Sequence, residues 1–158
     1  MTGKMIIKRL QKYLPQMILA VLMLIILIVS AVIFMAGNDR QRRIFIFPSA
    51  ENGRYIVEYR NLAKQPVHGD VRLYVDEILL GSSVERTRML FAPGTVVRSC
   101  FVRDSVLFLN LSQDLIDMGE GVIEIRDGFA LLEKNIKKNF PKIKEIDFFV
   151  EGKSAFES

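Results

Sequence analysis

Val122–Val150, with the sequence VIEIRDGFALLEKNIKKNFPKIKEIDFFV, contains the clearest helix of this 158-residue chain and a strand directly after it. Apolar residues recur at spacings of three and four until Pro141, which predicts an amphipathic helix ending at the proline. Residues 143–150 are rich in Ile, Phe and Val, which predicts a strand. Upstream, Asp117 and Glu120 have the spacing of a capping box, so we expect the helix to start beside them.

Two predicted hairpins and a shorter helix precede this stretch. Tracts of β-forming residues bounded by turn residues predict two pairs of strands, 43–47 with 54–60 and 96–102 with 106–111. Residues 70–80 alternate like a strand but also fit a helical face; Asp70 as a cap and Gly81 as a terminator favour a helix. The predicted order is ββαββαβ, an α+β fold with the helices on one face of a mixed sheet.

A long apolar run lies behind a basic tail at the N-terminus. Met17 to Ala36 carries no charge and only Ser30 as a polar side chain, and a helix of this length spans roughly 30 Å, the thickness of a bilayer core. We expect one transmembrane helix over residues 14–36 after a basic cytoplasmic tail, residues 1–13. A cleavable secretory signal is the alternative, but its apolar core is usually only about 7 to 15 residues long. Cys100 is the only cysteine, which excludes a lipid-modified cysteine near this run.

The charges are divided unequally between the tail and the rest of the chain. All 18 acidic residues follow residue 38, and the 22 Lys and Arg include four in the tail, so the remainder is formally neutral. A neutral soluble part argues against nucleic acid as a partner. We expect a linker at 37–43, one domain at 44–152 and a short tail at 153–158. Because positive charge favours the cytoplasmic side, we expect a single-pass protein of the cell (inner) membrane, with its N-terminus inside and its domain outside.

The sequence contains no motif for catalysis, a metal site or a bound cofactor. It lacks a Gly-x-Ser-x-Gly elbow and a phosphate-binding glycine loop, and one cysteine with one histidine cannot form a Cys/His zinc site. Cys100 alternates with apolar residues and is expected to be a buried, inert thiol. His68 follows Pro66 and is expected in a turn. Capping and solvation explain the acidic residues around the second helix, which are Asp114, Asp117, Glu120, Glu124 and Asp127.

A group of lysines forms the candidate interaction patch. Three of them lie at positions i, i+3 and i+4 of the second helix, away from its apolar stripe, and two follow Pro141. An ordinary solvated face is one interpretation; contact with anionic lipid head groups, an acidic wall polymer or a partner domain is the other. Any such binding should weaken steeply with salt. The lysine patch consists of Lys134, Lys137, Lys138, Lys142 and Lys144.

Five short pieces of the domain, in this order and spacing, carry a resemblance to a known family. They are the IFIF strand at Ile44–Phe47, the helix end at Leu79–Gly81, the turn at Pro93–Thr95, the hairpin end at Leu109–Ser112, and Phe140–Ile143 before the last strand. Together they resemble the GerMN domain family over residues 44–152. The resemblance implies an extracytoplasmic, non-catalytic module without a cofactor. Members of that family resemble the ring-building motifs of secretion and sporulation channels. They occur in envelope proteins that assemble with partners or with further copies of themselves.

From the apolar helix and the resemblance we expect a membrane-anchored, extracytoplasmic protein-interaction or assembly module of the cell envelope. Its partners would be the lipid bilayer and either an envelope protein or further copies of itself. The alternative is a module that binds a cell-wall ligand or acts as a sensor; a hydrolase is a third hypothesis. A concave pocket with convergent polar groups would favour a ligand, whereas an exposed apolar patch or sheet edge would favour assembly.

Overall fold

The computed structural model describes residues 3–36, 40–64, 66–117 and 119–156. The chain divides into two compact units, Met1–Asp39 and Arg40–Ser158. The first unit contains one helix, and the second is an α+β domain.

The first unit contains helix α1, Gly3–Ala36. Within it, Tyr13–Phe34 has a mean hydropathy of 3.3 over its most apolar window and is long and apolar enough to cross a membrane. A signal sequence near an N-terminus can pass the same test of length and hydropathy, although its apolar core is usually shorter. The helical backbone starts at Gly3, well before residue 14, where the membrane helix was predicted to begin.

The second unit follows the predicted element order. The α+β class, the mixed sheet and the helical nature of residues 70–79 are confirmed. The last residues add a short strand, so the domain continues past residue 152. Its elements are β1 (Arg40–Pro48), β2 (Tyr55–Ala63), α2 (Asp70–Leu79), β3 (Val97–Arg103), β4 (Val106–Leu111), a 3₁₀ turn (Gln113–Ile116), α3 (Ile125–Asn139), β5 (Glu145–Val150) and β6 (Lys153–Ser154).

The strands form two sheets. Strands β1 and β2 pair antiparallel as a sheet of their own, with Ile46 opposite Val57. The other sheet has the order β3-β4-β5-β6, in which β4 and β5 are parallel and the other neighbours antiparallel. The apolar runs predicted both hairpins, but they did not predict that the first hairpin stays apart from the larger sheet.

The core lies where the two helices meet the two sheets. Alternate residues of the central strand β4 are fully buried, as expected for a strand with one covered face. On α2, Tyr74 stacks on Phe45 with ring centroids 4.6 Å apart. On α3, Phe129 contacts both Phe91, at 5.0 Å, and Phe148, at 4.9 Å. The aromatic contacts therefore connect α2 to the first hairpin and α3 to the larger sheet.

Helix α3 starts later than predicted. It begins at Ile125 with Glu124 at the N-cap position, and no side chain caps it, so the predicted capping box of Asp117 and Glu120 is wrong. The reason is a competing backbone interaction: Met89 N–H donates to Gly121 O at 2.9 Å, and Ile123 N–H donates to Met89 O at 3.1 Å. These bonds form an isolated parallel β-bridge between Met89 and Val122 and leave the helix to begin after it.

The predicted ends of two other segments also shift. Gly81, with φ of 85°, terminates α2 as predicted, but Gly69 occupies the N-cap position and Asp70 is the first helical residue. Beyond residue 152, where a tail was predicted, β6 pairs with β5 and Phe156 packs on Phe129 with ring centroids 5.3 Å apart. At the other end, the last residues of the predicted linker, Arg40–Arg43, belong to β1.

Gly128 lies in a close contact between α3 and the loop before β3. A Cβ atom at this position would lie 2.5 Å from the backbone oxygen of Leu90 and 3.0 Å from the Phe91 ring. Gly128→Ala should therefore destabilise the domain by about 1 to 2 kcal/mol, despite the better helix propensity of alanine. Urea unfolding followed by tyrosine fluorescence measures this change. The control is Gly119→Ala, because no atom lies within 4 Å of the Cβ position there; an equal loss in both variants would contradict the close contact.

Candidate interaction site

The outer edge of β1 is covered by two asparagine side chains of α3. Asn135 Oδ1 accepts from Ile46 N–H at 2.8 Å, and Asn135 Nδ2 donates to Ile46 O at 2.9 Å. One helical turn later, Asn139 Oδ1 accepts from Ile44 N–H at 2.9 Å, and Asn139 Nδ2 donates to Ile44 O at 2.7 Å. Each side-chain amide thus bonds the strand as a neighbouring strand would. Helix α3 therefore runs along β1 with its C-terminal end at the beginning of the strand.

Tyr74 and Arg43 complete this contact. The Tyr74 hydroxyl donates to Ile44 O at 2.6 Å, and burial raises the pKa of its phenol above the usual value. Arg43, although charged, is almost entirely buried: its Nη1 donates to Asn139 O at 2.8 Å, and its guanidinium lies 4.2 Å from the Phe140 ring centroid. The four polar side chains form one buried network. Sequence analysis missed it, and the only signal for it was two asparagines four residues apart beside the apolar stripe of α3.

An ion-pair network holds the buried face of β2 in the first hairpin. Arg60 pairs with Glu58 at 2.8 Å and with Glu77 of α2 at 3.0 Å. The hydroxyls of Ser82 and Ser83 also donate to the Glu58 carboxylate, each at 2.9 Å. The hydrogen bond from Arg60 is the main cause that lowers the pKa of Glu58 to about 2. This network connects β2 to the end of α2.

The predicted lysine patch is divided into parts with different surroundings. Lys134 lies over the Tyr55 ring, with Nζ 4.6 Å from its centroid, and Lys137 pairs with Glu133 at 2.6 Å. The remaining three, Lys138, Lys142 and Lys144, are exposed, and they take part in none of the ion pairs found among the described residues. These three lie around the C-terminal end of α3 and the turn after it.

Strand β2 presents an apolar stripe at a sheet edge. Tyr55, Val57 and Tyr59 point away from the buried face and are 56%, 51% and 53% exposed. Within the described residues β2 pairs only with β1, so its second edge is available for a further strand. Two cations flank the stripe: Lys134 at Tyr55, and Arg42, whose guanidinium lies 4.0 Å from the Tyr59 ring centroid. We call Tyr55, Val57 and Tyr59 the β2 stripe.

A shallow cleft adjoins one end of the β2 stripe. It has a volume of about 320 Å³ and is partly enclosed and partly open to solvent. Asp127 and Lys134 are its charged residues. The lining residues are Pro48, Gly53, Tyr55, Ile123, Asp127, Ala130, Leu131 and Lys134.

The larger sheet has a second exposed aromatic group. Phe101 and Phe108 stack with ring centroids 5.1 Å apart, and Phe108 and Phe149 lie 6.5 Å apart. Phe101, at the edge strand β3, is 55% exposed, whereas the other two are half-buried. This group is a rival to the β2 stripe as an interaction surface.

The remaining candidate residues do not form a site. Cys100 is half-buried, and burial raises the pKa of its thiol to about 11, in agreement with an unreactive cysteine. His68 lies in a turn, as expected. Among the described residues, no three His, Cys, Asp or Glu side chains are grouped closely enough to hold a metal ion. The structure distributes the predicted acidic residues over the 3₁₀ turn, the following loop and the first turn of α3; they are Asp114, Asp117, Glu120, Glu124 and Asp127.

Two solved structures have the same arrangement of elements. The first GerMN domain of the sporulation protein GerM from Bacillus subtilis matches with a TM-score of 0.57 and 10% identity, over 72% of this chain and 85% of that domain. The tandem GerMN domains of the same protein match with a TM-score of 0.53 and 14% identity, over 72% of this chain and 39% of the tandem. The second unit has the GerMN fold. At these identities the likeness establishes the fold alone.

Sequence comparison finds a relative of this chain. An uncharacterized lipoprotein of Treponema pallidum (strain Nichols) is 29% identical over 90 residues, which cover 57% of this chain and 67% of that protein. No protein-family model matches the chain. The resemblance predicted from the sequence is confirmed at the level of the fold.

Asn135→Ala should strongly destabilise the GerMN domain. The side chain is 0% exposed, and its loss leaves the N–H and C=O of Ile46 without their partner inside the protein. Because unsatisfied buried polar groups cost about 1 to 3 kcal/mol each, we expect a loss of about 2 to 4 kcal/mol in the free energy of unfolding, measured in urea. The control Lys138→Ala, exposed on the same helix, should cost less than about 0.5 kcal/mol; similar losses would contradict the role of Asn135.

Glu58 should make the stability of the domain depend on pH below about 5. Its pKa is lowered from 4.5 to about 2 in the folded protein, so the stabilisation is fully present above 4.5 and is lost as the pH falls through 2. The loss should be on the order of 3 kcal/mol. Unfolding of wild type and Glu58→Gln between pH 6 and 2 measures it: the variant should lack this part of the acid sensitivity. Glu133→Gln, which removes an exposed ion pair, should retain it; if all three proteins respond alike, Glu58 is not the cause.

Proposed function

We propose that this chain is a membrane-anchored, extracytoplasmic interaction module of the cell envelope that binds a protein partner through the β2 stripe. The observation that carries the proposal is an edge strand with an exposed apolar face, Tyr55, Val57 and Tyr59, on a rigidly held hairpin. Sheet edges of this kind recruit a further strand through backbone hydrogen bonds, while alternate side chains provide specificity. Aromatic residues are also enriched in the central parts of protein interfaces.

The hairpin is rigidly held from both sides. Asn135 and Asn139 fix the outer edge of β1, and Arg60 ties the buried face of β2 to α2. A strand that is already ordered loses little conformational entropy when a partner binds, so its edge favours association more than a mobile segment would. The module thus needs no refolding to accept a partner strand.

The cations beside the β2 stripe indicate the chemistry of the partner. Arg42 and Lys134 lie over the two tyrosine rings at its ends. A partner strand with aromatic or apolar residues at its centre and carboxylates near its ends would be complementary to this surface. A second copy of the same stripe would bring like charges together at these ends, which favours a different envelope protein over self-association.

Attachment to a membrane is supported by two independent features. The Tyr13–Phe34 segment is long and apolar enough to cross a bilayer, and the relative found by sequence is described as a lipoprotein. The charge distribution supports an N-terminus in the cytoplasm and a GerMN domain on the outer side of the inner membrane. No role in sporulation is proposed, because the likeness to GerM concerns the fold.

The alternative function is recognition of a cell-wall ligand in the cleft beside Tyr55. Asp127 and Lys134 could bond a polar ligand, and Tyr55 could stack against a sugar ring there. The cleft is only partly enclosed, however, and lies at the lower limit of the usual pocket volumes, whereas ligand sites usually bury most of the ligand surface. The exposed sheet edge therefore favours a protein partner.

A photo-crosslinking experiment in the native cells tests the proposal. A benzophenone amino acid replaces Tyr59 in the full-length chain, and the matched control carries it at Phe101, the equally exposed aromatic residue of the rival surface. We expect one discrete adduct with an envelope protein from position 59 only. Val57→Lys should reduce its yield at least tenfold, because a charge at the centre of the β2 stripe must be desolvated on binding.

Other outcomes would overturn the proposal. An adduct from position 101 alone would place the interface on the larger sheet, and an adduct that persists in Val57→Lys would be non-specific. The topology is tested in the same cells with a membrane-impermeant amine reagent. If the lysines after Glu133 react only when the membrane is broken, the domain faces the cytoplasm and an extracytoplasmic role is wrong.

A further inference from the structure

One end of the domain concentrates positive charge, although Arg40–Ser158 as a whole has a formal net charge of only +1, from 18 Lys and Arg against 17 Asp and Glu. Asn135 contacts Ile46, and Asn139 contacts Ile44, so the C-terminal end of α3 lies beside the first residues of β1. Exposed cations therefore come together from two distant parts of the sequence. We call these residues the basic end; they are Arg40, Arg42, Lys138, Lys142 and Lys144.

The acidic groups at this end do not neutralise it. Asp70 pairs with the buried Arg43 at 3.6 Å, and Asp104 pairs with Arg103 at 3.6 Å. Glu145 follows Lys144 at the start of β5 and forms none of the ion pairs found in the described ranges. Among the described residues of this end, Glu145 is thus the carboxylate without an ion pair, against five exposed cations, and Asp39, directly before Arg40 in the sequence, contributes at most one more negative charge. The basic end therefore carries a net positive charge toward solvent.

The chain connects this end to the apolar helix by a very short segment. Residues 37–39 separate Ala36, the last residue of α1, from Arg40, the first residue of β1. Because consecutive Cα atoms are about 3.8 Å apart, Arg40 can lie at most about 15 Å from Ala36. When α1 spans a bilayer, this covalent limit holds the beginning of β1 close to the membrane surface.

We propose that the basic end binds the anionic phospholipid head groups of the membrane in which α1 is anchored. The proposal rests on the membrane anchoring in the proposed function and adds a ligand class for this surface. Each Lys or Arg near an anionic bilayer surface favours the bound state by roughly fivefold. Such docking would limit the orientations of the domain and would leave the β2 stripe, which lies along the neighbouring strand, to meet its partner at a restricted height above the bilayer.

Lysine acylation of the full-length chain in nanodiscs tests the proposal. The two preparations contain phosphatidylcholine alone or phosphatidylcholine with about one third phosphatidylglycerol, and mass spectrometry measures the acylation rate of each lysine. In the anionic nanodiscs we expect at least fivefold slower modification of Lys138, Lys142 and Lys144. Raising the salt concentration tenfold should remove the protection, because it screens charges at the surface.

Two variants with equal changes in charge provide the control. Arg40→Glu with Arg42→Glu alters the basic end without removing the reporting lysines, and it should lower the ratio of docked to free domain by roughly 25-fold or more. Lys134→Glu with Lys153→Glu changes positions near the C-terminal ends of β1 and β5, away from the basic end. This variant should leave the protection unchanged.

The outcomes separate this proposal from the proposed function. A chain that fails to enter nanodiscs contradicts the membrane anchoring itself. Equal lysine rates in both kinds of nanodisc, with the chain inserted, overturn lipid binding alone. Protection that appears only after an acidic wall polymer is added assigns the basic end to that polymer and also overturns the proposal.

Discussion

The contact between the α3 asparagines and the edge of β1 determines how the domain is assembled. A buried strand edge needs hydrogen-bond partners, and within the part of the chain that the structure describes β2 is the one strand paired with β1. Four residues of a helix rise about 6 Å, and two residues of a strand rise about 6.7 Å, so side chains at i and i+4 can match alternate strand residues. Asn135 and Asn139 use this near-match, since each amide supplies both a donor and an acceptor to one strand residue.

This contact also distributes the surface charges. Because α3 lies antiparallel to β1, Lys134 is placed near the end of β1 and contacts Tyr55, which pairs with Pro48. The lysines one turn further on lie near the beginning of β1 instead. The lysines predicted as a single patch thus lie at two surfaces. Lys134 lies beside the β2 stripe, and the basic end contains Lys138, Lys142 and Lys144. Substitution of the whole patch would mix the two effects, whereas paired substitutions at each end can separate them.

The sequence predicted the local elements well and their contacts less well. Both hairpins, the helix ending at Gly81 and the strand after Pro141 depend on periodicity and turn residues within a few positions, which the chain itself displays. The Asp117 and Glu120 capping box failed because Met89, a residue distant in sequence, forms backbone hydrogen bonds with Gly121 and Ile123 before the helix begins. The asparagine contact was missed for a related reason. A polar residue beside an apolar stripe is normally taken for a solvent-facing position, and only the three-dimensional partner shows that it is buried.

The domain has a total charge close to zero, but its exposed cations are grouped in separate clusters. A formally neutral domain has little long-range attraction for a nucleic acid or any other polyanion. At distances within about 8 to 10 Å, however, individual clusters act separately because salt screens the rest of the molecule. The basic end and the β2 stripe with its two cations are such clusters, whereas Glu58 on β2 and Glu77 on α2 both pair with Arg60 at the buried face of the hairpin. Since these carboxylates are engaged with Arg60, the outward-facing cations remain available to an anionic surface or to an acidic partner.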